Sequence, residues 1–170
     1  MINISNRLSV LIATVSTRRY RSLLEGEEYK DESGDLAEKM FINAGFRPIK
    51  RILIKDSPEM IRKAVDMAVA EGFDVLLFIG GTGVAKDDVT VEVVSELFEK
   101  EIPGFNILYT LYSEREVGPR AMSSRASAGI YKNVLIYAVP GSVRAVKLCV
   151  EKLIIPEARH LLMVYRGLKH

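Results

Sequence analysis

"VLLFIGGTGVAKDDVT", residues 75 to 90, runs from five apolar residues into three glycines within four positions, then into two adjacent aspartates and a threonine. An uninterrupted apolar run of this length, bounded by glycine, reads as a strand covered on both faces. Three other runs share that character: "LSVLIATV" (8 to 15), "PIKRILI" (48 to 54) and "VLIYAV" (134 to 139). The segments between them have helical period. "DLAEKMFINAG" sets Leu36 and Met40 on one side and stops at Gly45, a residue suited to a helix C-terminus. "SPEMIRKAVDMAVAEG" opens with Ser57 as N-cap and Pro58 at the first helical position, and ends at Gly72. Residues 90 to 100 and 142 to 154 follow the same logic, each beginning at a hydroxyl residue. Strands alternating with helices predict an α/β fold, a mostly parallel sheet with helices on both faces. The stretch from Glu101 to Lys132 breaks the alternation, and its sequence predicts a helix followed by an irregular polar loop without a strand.

Bulk properties narrow the classes. A chain of 170 residues with 48% hydrophobic and 27% charged residues suits one domain, 1–170, with a substantial core. A net charge of +2 lacks the concentrated basic surface that nucleic-acid binding demands. No apolar run approaches the ~20 residues of a membrane span, and the start "MINISNRLSV" lacks the pattern of a signal peptide. The single cysteine, Cys149, excludes an internal disulfide framework, so the expected location is cytoplasmic. The absence of glutamine and tryptophan beside plentiful Lys, Arg and Glu is a bias found in thermophile proteins.

In open parallel sheets ligands bind at the carboxyl ends of strands. Three such turns carry informative residues: "TVSTRRYR" after the first strand, "GGTGVAKDDVT" after the third and "PGSVRA" after the fourth. The glycine turn fails two phosphate signatures. Ala85 stands where the nucleoside-triphosphate loop needs glycine, and Lys86 takes the last glycine position of a dinucleotide fingerprint begun at Gly81. Two readings remain. Gly80, Gly81 and Gly83 form a tight turn and Asp88 or Thr90 caps the next helix; or the glycine amides cradle an anion, and Asp88, five residues beyond Gly83, holds Mg²⁺ against bound phosphates. The Gly141–Ser142 turn, leading into a helix, adds a second anion-binding candidate.

Asp56 ends the second strand. It either starts a helix beside Ser57 or faces Asp88 across a shared site. Arg18, Arg19, Arg125 and Arg144 are solvated charges by default, with phosphate contact open to one or two of them. His160 has no metal-spaced companion and reads as structural; neither Cys149, within a helical pattern, nor the terminal His170 supports a nucleophilic triad.

Taken in order, "VSTRR", "DESGDLAEKMFINAGF", "GGTGVAKDDVT", "SSRASAG", "VPGSVRAV" and "IIPEARHLL" resemble successive landmarks of the molybdenum cofactor biosynthesis proteins of the MoaB/Mog type, a domain also present in gephyrin. The resemblance spans nearly the whole chain. It implies a three-layer α/β molybdopterin-binding fold and a homo-oligomer, a trimer or a dimer of trimers, working beside partner enzymes of cofactor synthesis. The implied activity is adenylylation of molybdopterin by Mg-ATP, with pyrophosphate released. In that family pattern Asp56 and Asp88 match the catalytic acids, with Asp88 on Mg²⁺ and the adjacent Asp87 as an alternative metal ligand. Gly80, Gly81, Thr82 and Gly83 match the phosphate loop, Ser124 and Arg125 a Ser-Arg pair near the substrate, Gly141 and Ser142 the Pro-Gly-Ser loop, and Arg18 lies in the first-strand landmark. Lys86 and Asp87 depart from the Pro or Arg common before the acid, and Val91 and Val143 each replace a proline. Two further functions fit the same fold: a non-catalytic pterin-binding scaffold and a nucleotide-pyrophosphate-cleaving enzyme.

Overall fold

The alternation of side chains along each strand explains why the sheet is buried on both faces. In a computed structural model describing residues 7–168, strand β1 (Val10–Val15) sends Val10 and Ile12 into one apolar core and Leu11, Ala13 and Val15 into a second. Strand β3 (Val75–Ile79) divides likewise, Val75, Leu77 and Ile79 against Leu76 and Phe78. A period of two with apolar residues at every position needs helices on both sides.

Six strands form one sheet in the order β2-β1-β3-β6-β5-β4. Strands β2 (Ile49–Ile54), β1, β3 and β6 (Val134–Val139) are parallel, whereas β5 (Ser127–Tyr131) and the short β4 (Lys100–Glu101) run antiparallel at the far edge. Helices α3 (Pro58–Ala70) and α4 (Thr90–Leu97) cover one face. Helices α2 (Glu32–Asn43), α5 (Pro103–Val117), α6 (Val143–Cys149) and α7 (Ile155–Tyr165) cover the other. The expected three-layer α/β fold is therefore the observed one. No helix of the described residues is long and apolar enough to cross a membrane. The amino-terminal segment to Asn6 and His170 lie outside the described residues.

The structure differs from the sequence reading in two places. The segment after Glu101 begins with a helix as expected, but it ends in β5 rather than in a loop. "SAGIY" lacks the β-branched richness of a strand because Gly129 must be bare: a Cβ there would sit inside the Phe98 ring. The β5–β6 hairpin turns at Lys132 and Asn133, both with positive φ (45° and 67°), without the glycine that usually announces such a turn. The second difference is "TVSTRRYR", taken from the sequence as a turn, within which Thr17 begins α1 (Thr17–Leu24) with Ser16 Oγ accepting from the Arg19 amide at 3.3 Å.

A buried carboxylate locks the elements around the site. Asp31 accepts from the Gly34 amide (3.1 Å) at the start of α2, from Thr14 Oγ1 of β1 (2.6 Å) and from Arg51 Nη2 of β2 (2.8 Å). Ser33 Oγ, in the next turn, donates to Gly141 O at 2.7 Å and so holds the loop after β6.

Replacing Gly129 by alanine forces Phe98 out of its seat. The expected loss is about 1–3 kcal/mol, a fall of roughly 2–10 °C in the thermal midpoint, measured by circular dichroism.

Candidate functional site

Parallel order places the carboxyl ends of β2, β1, β3 and β6 at one end of the sheet, and the chain reverses its direction of travel between β1 and β3, the position where such sheets bind ligands. Four loops meet there. Gly80 (φ +111°) and Gly81 (φ +69°) turn the chain sharply out of β3, and a Cβ on Gly80 would lie 2.5 Å from Val15 O at the end of β1. Gly141, after β6, lies against the Gly80 backbone. Behind β2, the Asp56 amide donates to Thr17 Oγ1 at 3.2 Å, which ties the second loop to the start of α1.

The bare face of Gly81 is the centre. A Cβ built on it would stand 2.9 and 3.1 Å from the two Asp56 carboxylate oxygens and would overlap Thr90 Oγ1. A Cβ on Gly83 would stand 2.5 Å from Asp88 Oδ2. Asp56, Thr90 and Asp88 thus gather around two glycines, as the sequence anticipated for the acids. The capping alternative does not hold. Val89 occupies the N-cap of α4 without a side-chain cap, Asp88 Oδ2 accepts from the Ala85 amide (3.2 Å), and Asp56 Oδ1 accepts from the Val89 amide (3.4 Å). Thr90 is wholly buried and its Oγ1 has no hydrogen-bond partner among the described residues. A buried hydroxyl left in this way calls for an outside partner.

Several residues singled out in the sequence have partners within the protein. Gly80 is a turn residue, since its amide donates to Val139 O at 2.9 Å; the amides of Gly81, Thr82 and Gly83 have no protein acceptor among the described residues. Ser142 Oγ caps α6 through the Ala145 amide. Arg125 does not point at a free anion: Nε and Nη2 donate to Gly83 O (3.0 and 2.6 Å), and Nη1 pairs with Glu92. Arg19 Nε donates to Lys30 O, and Arg144 pairs with Glu116 at 2.8 Å. Arg18 is exposed and lines a separate depression with Ser22, Glu28 and Tyr29. Ser124 Oγ is buried without a partner and faces another depression, of about 530 Å³, between α4, α5 and β5. A further depression, about 600 Å³, runs beside β2 from Tyr29 to Leu53 and contains none of the orphaned polar atoms. Cys149 is buried, which pushes its thiol far above the ordinary range, and His160 lies on exposed α7 surface.

Burial holds the Asp56 carboxyl above its ordinary pKa. The Val89 amide bond opposes that shift, and the negative charges of Asp88, Asp87 and Glu92 add to it. The donor set here is oxygen alone, two carboxylates and a hydroxyl, beside unengaged amides. Among the described residues no three His, Cys, Asp or Glu side chains converge to hold a metal by themselves. This suits Mg²⁺, which takes one or two carboxylates and completes its shell with water and substrate phosphate.

A family model described as "Probable molybdopterin binding domain" matches residues 11–160. The chain belongs to the molybdopterin-binding domain family. A relative from Methanocaldococcus jannaschii, named "Probable molybdopterin adenylyltransferase", is 46% identical over 153 residues, 89% of this chain and 90% of its own length. "Molybdenum cofactor biosynthesis protein B" of Staphylococcus carnosus is 44% identical over 135 residues, 78% of this chain and 79% of that one. The crystal structure of the tungsten cofactor synthesizing protein MoaB from Pyrococcus furiosus superposes with a TM-score of 0.84 at 31% identity, covering 95% of this chain and 99% of that chain. In this molybdopterin-binding domain the acids come from the loops after β2 and β3. Thr17 and Glu92 escape the sequence reading and Thr90 enters it only as a helix cap, because a threonine or glutamate at a helix start looks like an ordinary first-turn residue.

The raised pKa of Asp56 has a stability consequence. The folded state favours the protonated form, so the carboxyl contributes stability below its unfolded pKa, and this is lost as pH rises through the folded value. Asp56→Asn keeps an oxygen for the Val89 amide and removes the charge. It is expected to raise the thermal midpoint at pH 7, with the advantage shrinking toward pH 4, as scanning calorimetry measures.

Proposed function

We propose that this chain is a molybdopterin adenylyltransferase of molybdenum or tungsten cofactor synthesis. The observation that carries the reading is the grouping of Asp56, Thr90 and Asp88 around the bare faces of Gly81 and Gly83, next to unengaged loop amides. An oxygen of the molybdopterin phosphate attacks the α-phosphorus of ATP, the bond from that phosphorus to the bridging oxygen breaks, and pyrophosphate leaves. Negative charge dominates both substrates, so orientation and charge stabilisation matter more than proton removal.

The residues divide the work. The amides of Gly81, Thr82 and Gly83 donate to phosphate oxygens. The Thr90 hydroxyl gains its missing partner when phosphate or its metal shell lies over Gly81. Asp88 and Asp56 would hold Mg²⁺, with Asp87 at the exposed edge of the same acidic loop. That ion, when bound, neutralises phosphate charge and relieves the repulsion among the carboxylates. Ser124 faces the depression nearest the loop, a place for the pterin, and Gly141 shapes the floor. Arg18 remains available at the rim for the outer part of a substrate. The exposed apolar residues Ile107, Leu108 and Leu111 of α5 fit an assembly of copies better than a monomer, because apolar surface marks interaction sites, and a cytoplasmic homotrimer is the assembly that the family resemblance implies.

The test is incubation of the purified protein with molybdopterin, ATP and Mg²⁺, following adenylylated pterin and pyrophosphate. Asp88→Asn is expected to lower kcat by about 10²–10³-fold with pterin binding retained. Pterin binding without product, silent to substitution of Asp56 and Asp88, identifies a scaffold instead.

A further inference from the structure

Arg125 joins three parts of the site that are distant in sequence. Its amide donates to Thr82 O (3.1 Å), and its guanidinium donates to Gly83 O through two nitrogens and to Asp88 O through Nη2 at 3.4 Å. The two carbonyls are the ends of the exposed segment Val84–Asp87, so one side chain closes the neck of the loop that displays Asp88. Glu92, in the first turn of α4, takes the remaining face of the guanidinium through both carboxylate oxygens. A planar fork is required to reach two carbonyls and a carboxylate together, which lysine lacks. The contact with Arg125 also holds the Glu92 carboxyl below its ordinary pKa, so both partners stay charged.

We propose that the Glu92–Arg125 pair is a positioning device: Glu92 aims the guanidinium at Gly83 O and Asp88 O, and this neck closure sets where Asp88 and the Gly83 amide stand. The inference rests on the proposed adenylyl transfer for its kinetic consequence, but not for its structural one. It also opposes the alternative that Arg125 is itself a phosphate ligand, because the two roles respond to Glu92 with opposite sign. Releasing a phosphate ligand from its carboxylate tightens ATP binding; releasing a clamp loosens the loop.

Two measurements test it. In the full chain without substrates, hydrogen exchange read by mass spectrometry is expected to rise about tenfold in the peptide spanning residues 82–89 of Glu92→Gln, with β1 and β3 peptides unchanged. Exchange identical to the wild type overturns the proposal, and this arm stands even if the wild type forms no adenylylated pterin, a result that defeats the proposed function alone. In the adenylylation assay, Glu92→Gln is expected to lose about tenfold in kcat with KM for ATP not lowered. Arg125→Lys loses at least as much, and the double variant is no worse than Arg125→Lys. A lower KM for ATP in Glu92→Gln with kcat retained, or additive losses in the double variant, overturns the proposal.

Discussion

Positive φ at two consecutive residues, Gly80 and Gly81, turns the chain from the centre of the sheet into the site, and the surroundings of both residues exclude a side chain. Gly80 is pressed against the carbonyl that ends β1, and Gly81 against the Asp56 carboxylate and the Thr90 hydroxyl. A Cβ at Gly81 would separate the loop after β2 from the start of α4. The constraint is therefore steric before it is chemical: the acids meet because a backbone without side chains lies between them.

That closeness opposes stability. Asp56 is partly buried with Asp88, Asp87 and Glu92 as like-charged neighbours, and it forms no ion pair among the described residues. Three of the four arginines that the sequence offers for phosphate contact are engaged elsewhere: Arg125 with Glu92 and the loop carbonyls, Arg144 with Glu116 and Arg19 with the Lys30 carbonyl. By contrast Asp31, another carboxylate and more deeply buried, has Arg51, a hydroxyl and an amide around it. One carboxylate is satisfied by the protein and fixes the frame; the others are left for what binds. Uncompensated charge beside an orphaned hydroxyl is the mark of a site rather than of a core.

Legibility followed the range of the interactions. Ser57 and Pro58 begin α3, and Gly45 and Gly72 follow the helices they were expected to end, because caps act within one turn of the chain. The parallel strands were readable from uninterrupted Val, Ile and Leu. β5 was not, since its glycine answers to the Phe98 ring and its hairpin uses Lys132 and Asn133 where glycine is usual. α1 is short and rich in arginine, and although Tyr20, Leu23 and Leu24 stand at helical spacing none of its residues is buried, so its apolar signal is weak.

By itself the sequence determined the α/β alternation, the glycine turn after β3 and the two acids at strand ends, all set by local sterics, capping and hydrophobic period. Tertiary structure alone decided what those residues face: that Thr90 is an orphaned hydroxyl over Gly81, and that Arg125 closes a loop instead of meeting an anion. The reason is that a side chain's partner is chosen by whichever group the packed sheet brings near. For Arg125 those groups are Gly83 and Glu92, more than thirty positions away in the chain.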